Sequence, residues 1–238
     1  MVKEKTFAEQ ILQFNEMLSC ISLDLPAGFK VINPFIGDQK EQVRKVTTAF
    51  YQKYYNDNHT RRLIIGSSPA RSGSAVTGIP FEDAKYLQSE TGIYIDKFYI
   101  NKSSSGFIYD VISKYGGCDK FYTDFYMSFV CPLGLVRTNS NGKEVNCNYY
   151  ENKKLQKSLY SFIVSAIRSQ IGFGIDTSVC YCIGSGENYN FLLEINKEYN
   201  FFDTIIPLEH PRFIMQYNSK HKDIFFEKYI NALCNHNN

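Results

Sequence analysis

The sequence predicts an α/β fold of three layers, α/β/α, around a mostly parallel central sheet of about four strands. Three observations predict it. Short apolar runs alternate along the chain with longer segments whose apolar residues recur every three or four positions. The run Leu63-Ile64-Ile65 is apolar without in–out alternation, as expected of a strand covered by helices on both faces. At 238 residues, with no internal repeat and no linker, the chain reads as one domain, 1–238, long enough to bury a full core.

Phe7, Ile11, Phe14, Leu18 and Ile21 lie on one helical face, and Val43, Val46, Phe50 and Tyr54 on a second. "RRLIIG" (61–66) reads as a buried strand stopped by Gly66. Phe107, Ile108, Val111, Ile112 and Tyr115 form a helix stripe that ends at Gly116-Gly117, a helix-stop signal. "FYMSFV" (125–130) is a strand cut off by Cys131-Pro132, and the polar, Asn-rich 137–152 is a long loop or a short hairpin. A helix follows through Leu155, Leu159, Phe162, Ile163, Ala166 and Ile167. Then come strand "SVCYCIG", helix "NYNFLLEINKEY", strand "DTIIPL", the segment "EHPRF" and a last helix near Ile224 to Leu233. Right-handed crossovers would gather four loops at the C-terminal rim of the sheet, where open α/β sheets bind ligands. They are 66–81, the loop after Val130, Gly184-Ser185-Gly186 and 208–213.

Composition bounds the function. A net charge of +2 permits a nucleic-acid partner without requiring one. The basic clusters Arg61-Arg62, Lys153-Lys154 and Lys220-His221-Lys222 read either as local basic surface or as solvated faces. The N-terminal segment has charges and a helical repeat where a signal peptide has an unbroken apolar core, and no stretch reaches the ~20 apolar residues of a membrane span. The seven cysteines include no Cys-x-x-Cys, so neither zinc nor an iron–sulfur cluster is suggested. Cys180 and Cys182 alternate with Tyr181 and should be buried thiols. A reducing, cytoplasmic setting and a monomer are expected.

The chemistry concentrates in "GSSPARSGSAVTGIPF" (66–81), where nine of sixteen residues are Gly, Ala or Ser and the last is a large ring. A P-loop needs G-x-x-x-x-G-K-[ST], but position 71 is Arg and no Lys follows. The G-x-G-x-x-G fingerprint is absent, and Gly184-Ser185-Gly186 supplies only its first half. A serine nucleophile at Ser67 or Ser68 with His210 lacks the G-x-S-x-G elbow, and Pro69 stands where the nucleophile's helix should begin.

Read together, this loop and "EHPRF" resemble the paired motifs of the uracil-DNA glycosylase superfamily. The nearest branch is similar to the single-strand-selective monofunctional enzymes, in a bacterial subgroup. Thr77-Gly78-Ile79-Pro80-Phe81 and His210-Pro211 carry the resemblance, with support from "SSSGFIYDVISKYGG", "FVCPLGLV", "GSGENYNFLLEIN" and "PLEHPRFIMQY" over roughly residues 25–233. It implies a DNA-repair glycosylase without metal or cofactor, acting on DNA that carries uracil, or else xanthine or hypoxanthine. The flipped base would lie against Gly66, Ser67, Pro69, Ala70, Gly73, Phe81 and Phe129, with Phe81 as the stacking ring. His210 would donate to the base carbonyl as the leaving base gains charge, and Ser68 would hold the attacking water. Arg71, Ser72, Arg212 and Phe213 would meet DNA, with "PRFIM" filling the gap left by the flipped nucleotide. Alternatively Phe213, Ile214 and Met215 simply enter the core.

The chain departs from the family pattern at three places. Ser68 replaces a water-positioning Asn, Ala70 replaces a Gly, and Phe129 stands where a base-reading Asn is found. Asp83 and Glu209 are further water-orienting candidates, or else exposed or capping carboxylates. No Lys lies in the motif loops, which favours monofunctional action over a Schiff base. Loss of catalysis through Ser68, leaving a module that binds damaged or abasic DNA, is the alternative.

Overall fold

The computed structural model describes residues 4–82, 84–93 and 104–235. The chain runs α1 (Phe7–Ser19), β1 (Phe29–Ile32), α2 (Lys40–Tyr54), β2 (Arg61–Gly66), α3 (Ser74–Thr77), α4 (Ala84–Thr91), α5 (Ser104–Tyr115), α6 (Cys118–Asp124) and β3 (Phe125–Phe129). It continues with β4 (Gly134–Thr138), β5 (Glu144–Asn146), a 3₁₀ turn at Tyr149–Glu151, α7 (Lys153–Ile171), β6 (Ile175–Ile183) and α8 (Glu187–Tyr199). The last elements are β7 (Thr204–Leu208), α9 (Pro211–Tyr217), a second 3₁₀ turn at Ser219–His221 and α10 (Lys222–Cys234).

The central sheet has the predicted four strands, in the order β3-β2-β6-β7, and every pairing in it is parallel. All six residues of β2 are buried, as the unbroken apolar run requires of a strand in the middle of a covered sheet. The helices bury the stripes read from the sequence. In α1 these are Phe7, Ile11, Phe14 and Leu18, and in α7 Leu155, Leu159, Ile163 and Ile167. Local chemistry starts both helices. The Glu9 N–H donates to Thr6 Oγ1 (3.3 Å) while Glu9 Oε2 accepts from the Thr6 N–H (2.8 Å), a reciprocal cap. Asn152 Oδ1 accepts the first free amides of α7, those of Lys154 and Leu155. Cys180 and Cys182 are buried free thiols, as the alternation predicted.

Three features differ from the sequence reading. The 137–152 segment takes the short-hairpin alternative with β4–β5, and the unexpected element is β1, which adds to it and makes a second, antiparallel sheet in the order β1-β4-β5. β1 is only four residues long and has no clean alternation to announce it. Arg61 and Arg62 are not a surface cluster: both are buried, with Arg61 fully so. Finally, "HPRF" opens a helix, α9, with His210 as its N-cap and Pro211 at its first position, the place where a missing N–H is harmless.

Candidate active site

The parallel register sets the C-terminal rim. Gly66 at the end of β2 lies beside Phe129 at the end of β3, and Ile183 of β6 lies beside Leu208 of β7. Neighbouring strands are about 4.8 Å apart, so the ends of β2 and β7 stand roughly 10 Å from each other across β6. Gly66 and His210, two residues beyond Leu208, therefore belong to one edge despite a separation of 144 positions in the sequence.

At the β2 end, a Cβ on Gly66 would meet Phe81 Cζ at 2.6 Å and Phe129 Cδ1 at 3.1 Å. Glycine here is a packing requirement, because two rings lie directly on its backbone. Those rings stack on each other, with centroids 5.2 Å apart and planes 23° apart. Phe81 has φ +60°, an unusual conformation for a bulky side chain that costs about 1–3 kcal/mol. The turn is held from both sides. The Phe81 N–H donates to Ser74 Oγ (2.9 Å), and the carboxylate of the next residue, Glu82, is buried and accepts from the hydroxyls of Tyr122 (2.7 Å) and Tyr109. Glu82 gave no sign of this role in the sequence, where a carboxylate beside a turn looks like surface charge.

At the β7 end, the half-buried imidazole of His210 divides its two nitrogens between two tasks. Nδ1 accepts the backbone N–H of Arg212 (3.1 Å), capping α9. In a neutral ring that acceptor has no hydrogen, so the proton resides on Nε2, which is then a donor. Among the described residues no partner reaches Nε2. Burial, and after it the nearby Arg212 charge, pushes the His210 pKa down to about 4, so the ring is neutral at pH 7. The turn is tied down by Tyr229, whose hydroxyl donates to the Glu209 carbonyl (2.5 Å). The Glu209 carboxylate accepts from Lys228 Nζ at 2.8 and 3.0 Å, which makes it an ion-pair partner and not a base poised over water.

Directly after Gly66 come Ser67, buried, and Ser68, half-buried. Both hydroxyls donate to Asn148 Oδ1, at 3.0 and 3.1 Å. Neither bonds an imidazole among the described residues, so the nucleophile–base pairing of a serine hydrolase is absent there. Burial raises the Tyr150 pKa, and the neighbouring Ser67 works against that rise. Tyr149 anchors the segment from beneath: its hydroxyl donates to Asn188 Oδ1 (2.6 Å), while Asn188 Nδ2 donates to the Ile183 carbonyl (3.0 Å) at the end of β6. Asn148, Tyr149 and Tyr150 were missed in the sequence because they sit in a stretch where nearly every residue is polar or aromatic.

The remaining candidates are distributed as follows. Pro69 and Gly73 are buried and Ala70 is exposed, its carbonyl accepting from the Gly73 and Ala75 amides (3.0 and 3.1 Å) to open α3. A Cβ at Gly73 would make only ordinary contacts, so close approach explains Gly66 and not Gly73. Arg71 and Ser72 are exposed. Arg71 is pinned to the hairpin, its N–H donating to Asn146 Oδ1 (3.1 Å) and its Nη1 to the Glu144 carbonyl (3.1 Å). Arg212 is exposed and its Nε donates to Gln216 of its own helix (3.1 Å). "PRFIM" is divided: Ile214 is fully buried, whereas Phe213 is 46% exposed. Asp83 lies outside the described residues. Among the described residues no His, Cys, Asp and Glu group could hold a metal ion, and no helix is long and apolar enough to cross a membrane.

The chain belongs to the uracil-DNA glycosylase superfamily: the family described as "Uracil DNA glycosylase superfamily" matches residues 52–234. It is a DNA glycosylase, with DNA as its substrate. The wild-type SMUG2 of Pedobacter heparinus is similar to it over nearly its whole length. That crystal structure is 47% identical, covers 96% of this chain and 97% of its own, and superposes with a TM-score of 0.91. No curated protein sequence matches.

Proposed function

We propose that the protein hydrolyses the N-glycosidic bond of a deaminated base flipped out of DNA, uracil first among them, by direct attack of water. The bond between C1′ and the base nitrogen breaks with its electron pair going to the base. Water forms the new C1′–O bond, and its proton passes to solvent. Positive charge develops on the sugar and negative charge on the leaving base. The observation that carries this reading is the state of His210. A neutral imidazole with Nδ1 committed to the helix keeps Nε2–H as a fixed donor. Aimed at a base carbonyl oxygen, such a donor binds the departing anion better than the neutral base, which is what accelerates cleavage.

Phe81 supplies the face on which the base stacks, and its aim is worth the backbone strain it carries. Phe129, behind it, offers no hydrogen bond to a base edge, so base choice rests on Nε2–H and on backbone groups of 66–70. Ser68 holds the water. With no Lys in the motif loops, the reaction ends at an abasic site without a covalent enzyme intermediate.

The test is base release from oligonucleotides that each carry one lesion, uracil, xanthine or hypoxanthine, in single-stranded and duplex form. Release of free uracil with an intact abasic strand is expected. No release of any base, with tight binding to the lesion and activity gained in Ser68→Asn, would establish a binding module in its place.

A further inference from the structure

We infer that Asn148 is a positioning residue for the attacking water, acting through Ser68. The inference rests on the proposed hydrolysis and assigns to it a residue from outside the motif loops.

Hydrogen-bond direction sets the role of Asn148. The carboxamide of Asn148 has an acceptor end and a donor end, and its surroundings fix which is which. Glu151 Oε1, an acceptor, receives both the Asn148 backbone N–H (2.8 Å) and Nδ2 (3.3 Å). Nδ2 thus faces Glu151, and Oδ1 faces the serines. An amide oxygen can only accept, so the hydrogens of both Ser67 and Ser68 must point at it. Ser67 is buried, whereas half-buried Ser68 has no second partner among the described residues.

Ser68 Oγ therefore turns lone pairs alone toward the rim. A water bound there must donate to it, which leaves the water's own lone pair directed away from the serine and available to attack. A serine with a free hydrogen could instead donate to the water and occupy the electron pair that attack requires. Asn148 removes that orientation. As the water oxygen bonds to C1′ and its hydrogens become more acidic, the chain from water to Ser68 to Asn148 strengthens along its length. A short hydroxyl on the loop and an amide from the hairpin side together provide what the serine alone could not.

Asn148→Ser is the discriminating variant. Serine still caps the 149–151 turn but is too short to reach the Ser68 hydroxyl. The single-turnover rate of uracil release should fall by about 10²-fold, the scale of one positioned polar group. Affinity for the same oligonucleotide carrying a non-hydrolysable 2′-fluorouridine should stay within about threefold on that view, since water orientation is felt in the rate and not in binding. Asn148→Asp combined with Glu151→Gln keeps an acceptor oxygen for both serines without a like-charge pair, and should recover most of the rate. A full rate in Asn148→Ser, or a loss of rate and affinity together that the double variant does not repair, overturns the inference. If the unaltered protein releases no base, the proposed hydrolysis itself fails, and that result is read before any variant.

Discussion

Arg61 and Gly66 stand at opposite ends of β2, and their surroundings follow opposite rules. At the Arg61 end every valence is met. Nε donates to the Tyr122 carbonyl (2.7 Å), Nη1 to Asp57 Oδ1 (2.8 Å) and the His59 carbonyl (3.1 Å), and Nη2 to Asp57 Oδ2 (2.9 Å) and the Tyr54 carbonyl (3.2 Å). The guanidinium also lies over the rings of Phe7 and Tyr55, 4.8 and 4.7 Å from their centroids. Burial alone would raise the Asp57 pKa, but its bonds to Arg61 and the His59 backbone hold it below the usual carboxylate range. At the Gly66 end the polar groups are firmly placed yet left incomplete: Nε2 of His210 and the lone pairs of Ser68 have no partner among the described residues. A saturated charge holds a fold together. A group held rigidly with one position open is equipped to act on something else.

The largest effect should come from removing the open donor. His210→Ala removes both the α9 cap and the donor, and should lower the rate of base release by about 10²–10³-fold. Loss of the cap accounts for only about 1 kcal/mol of stability, so the protein should remain folded. The opposite end should respond the other way. Asp57→Ala strands a fully buried guanidinium and should destabilise the fold by about 3 kcal/mol, measured by denaturant unfolding, while the excision rate of the folded fraction at low temperature is unchanged. Equal losses of rate and stability in both variants would erase the distinction between the two ends.

How much of this the sequence discloses follows from the same contrast. The parallel sheet is legible because buried strands and amphipathic helices impose apolar patterns that survive in one dimension. Phe81 and His210 are legible because Thr77-Gly78-Ile79-Pro80-Phe81 and His210-Pro211 are tied to local backbone geometry: a strained turn in one case and a helix start in the other. Arg61-Arg62 misleads, since a pair of charges looks solvated unless the carbonyls that enclose it are known. Asn148 could not be singled out, because its value comes from β4–β5 and the 3₁₀ turn carrying one amide across to Ser68 in the loop after β2, 80 positions away. Glu82 is hidden for the same reason: its two tyrosine donors come from α5 and α6.

The ionisation of His210 is the point on which the account turns, and ¹⁵N NMR of the labelled protein reads it at the atom concerned. The imidazole should be the Nε2–H tautomer at pH 7, with Nδ1 unprotonated, and should take up a proton only near pH 4. Because the folded pKa lies below the ordinary value of about 6.5, the unfolded chain binds this proton first. Stability from this group is therefore fully present above pH 6.5 and declines as pH falls toward 4. An Nδ1–H tautomer, or a midpoint at the ordinary value, would contradict the assignment of one nitrogen to the helix and the other to the base.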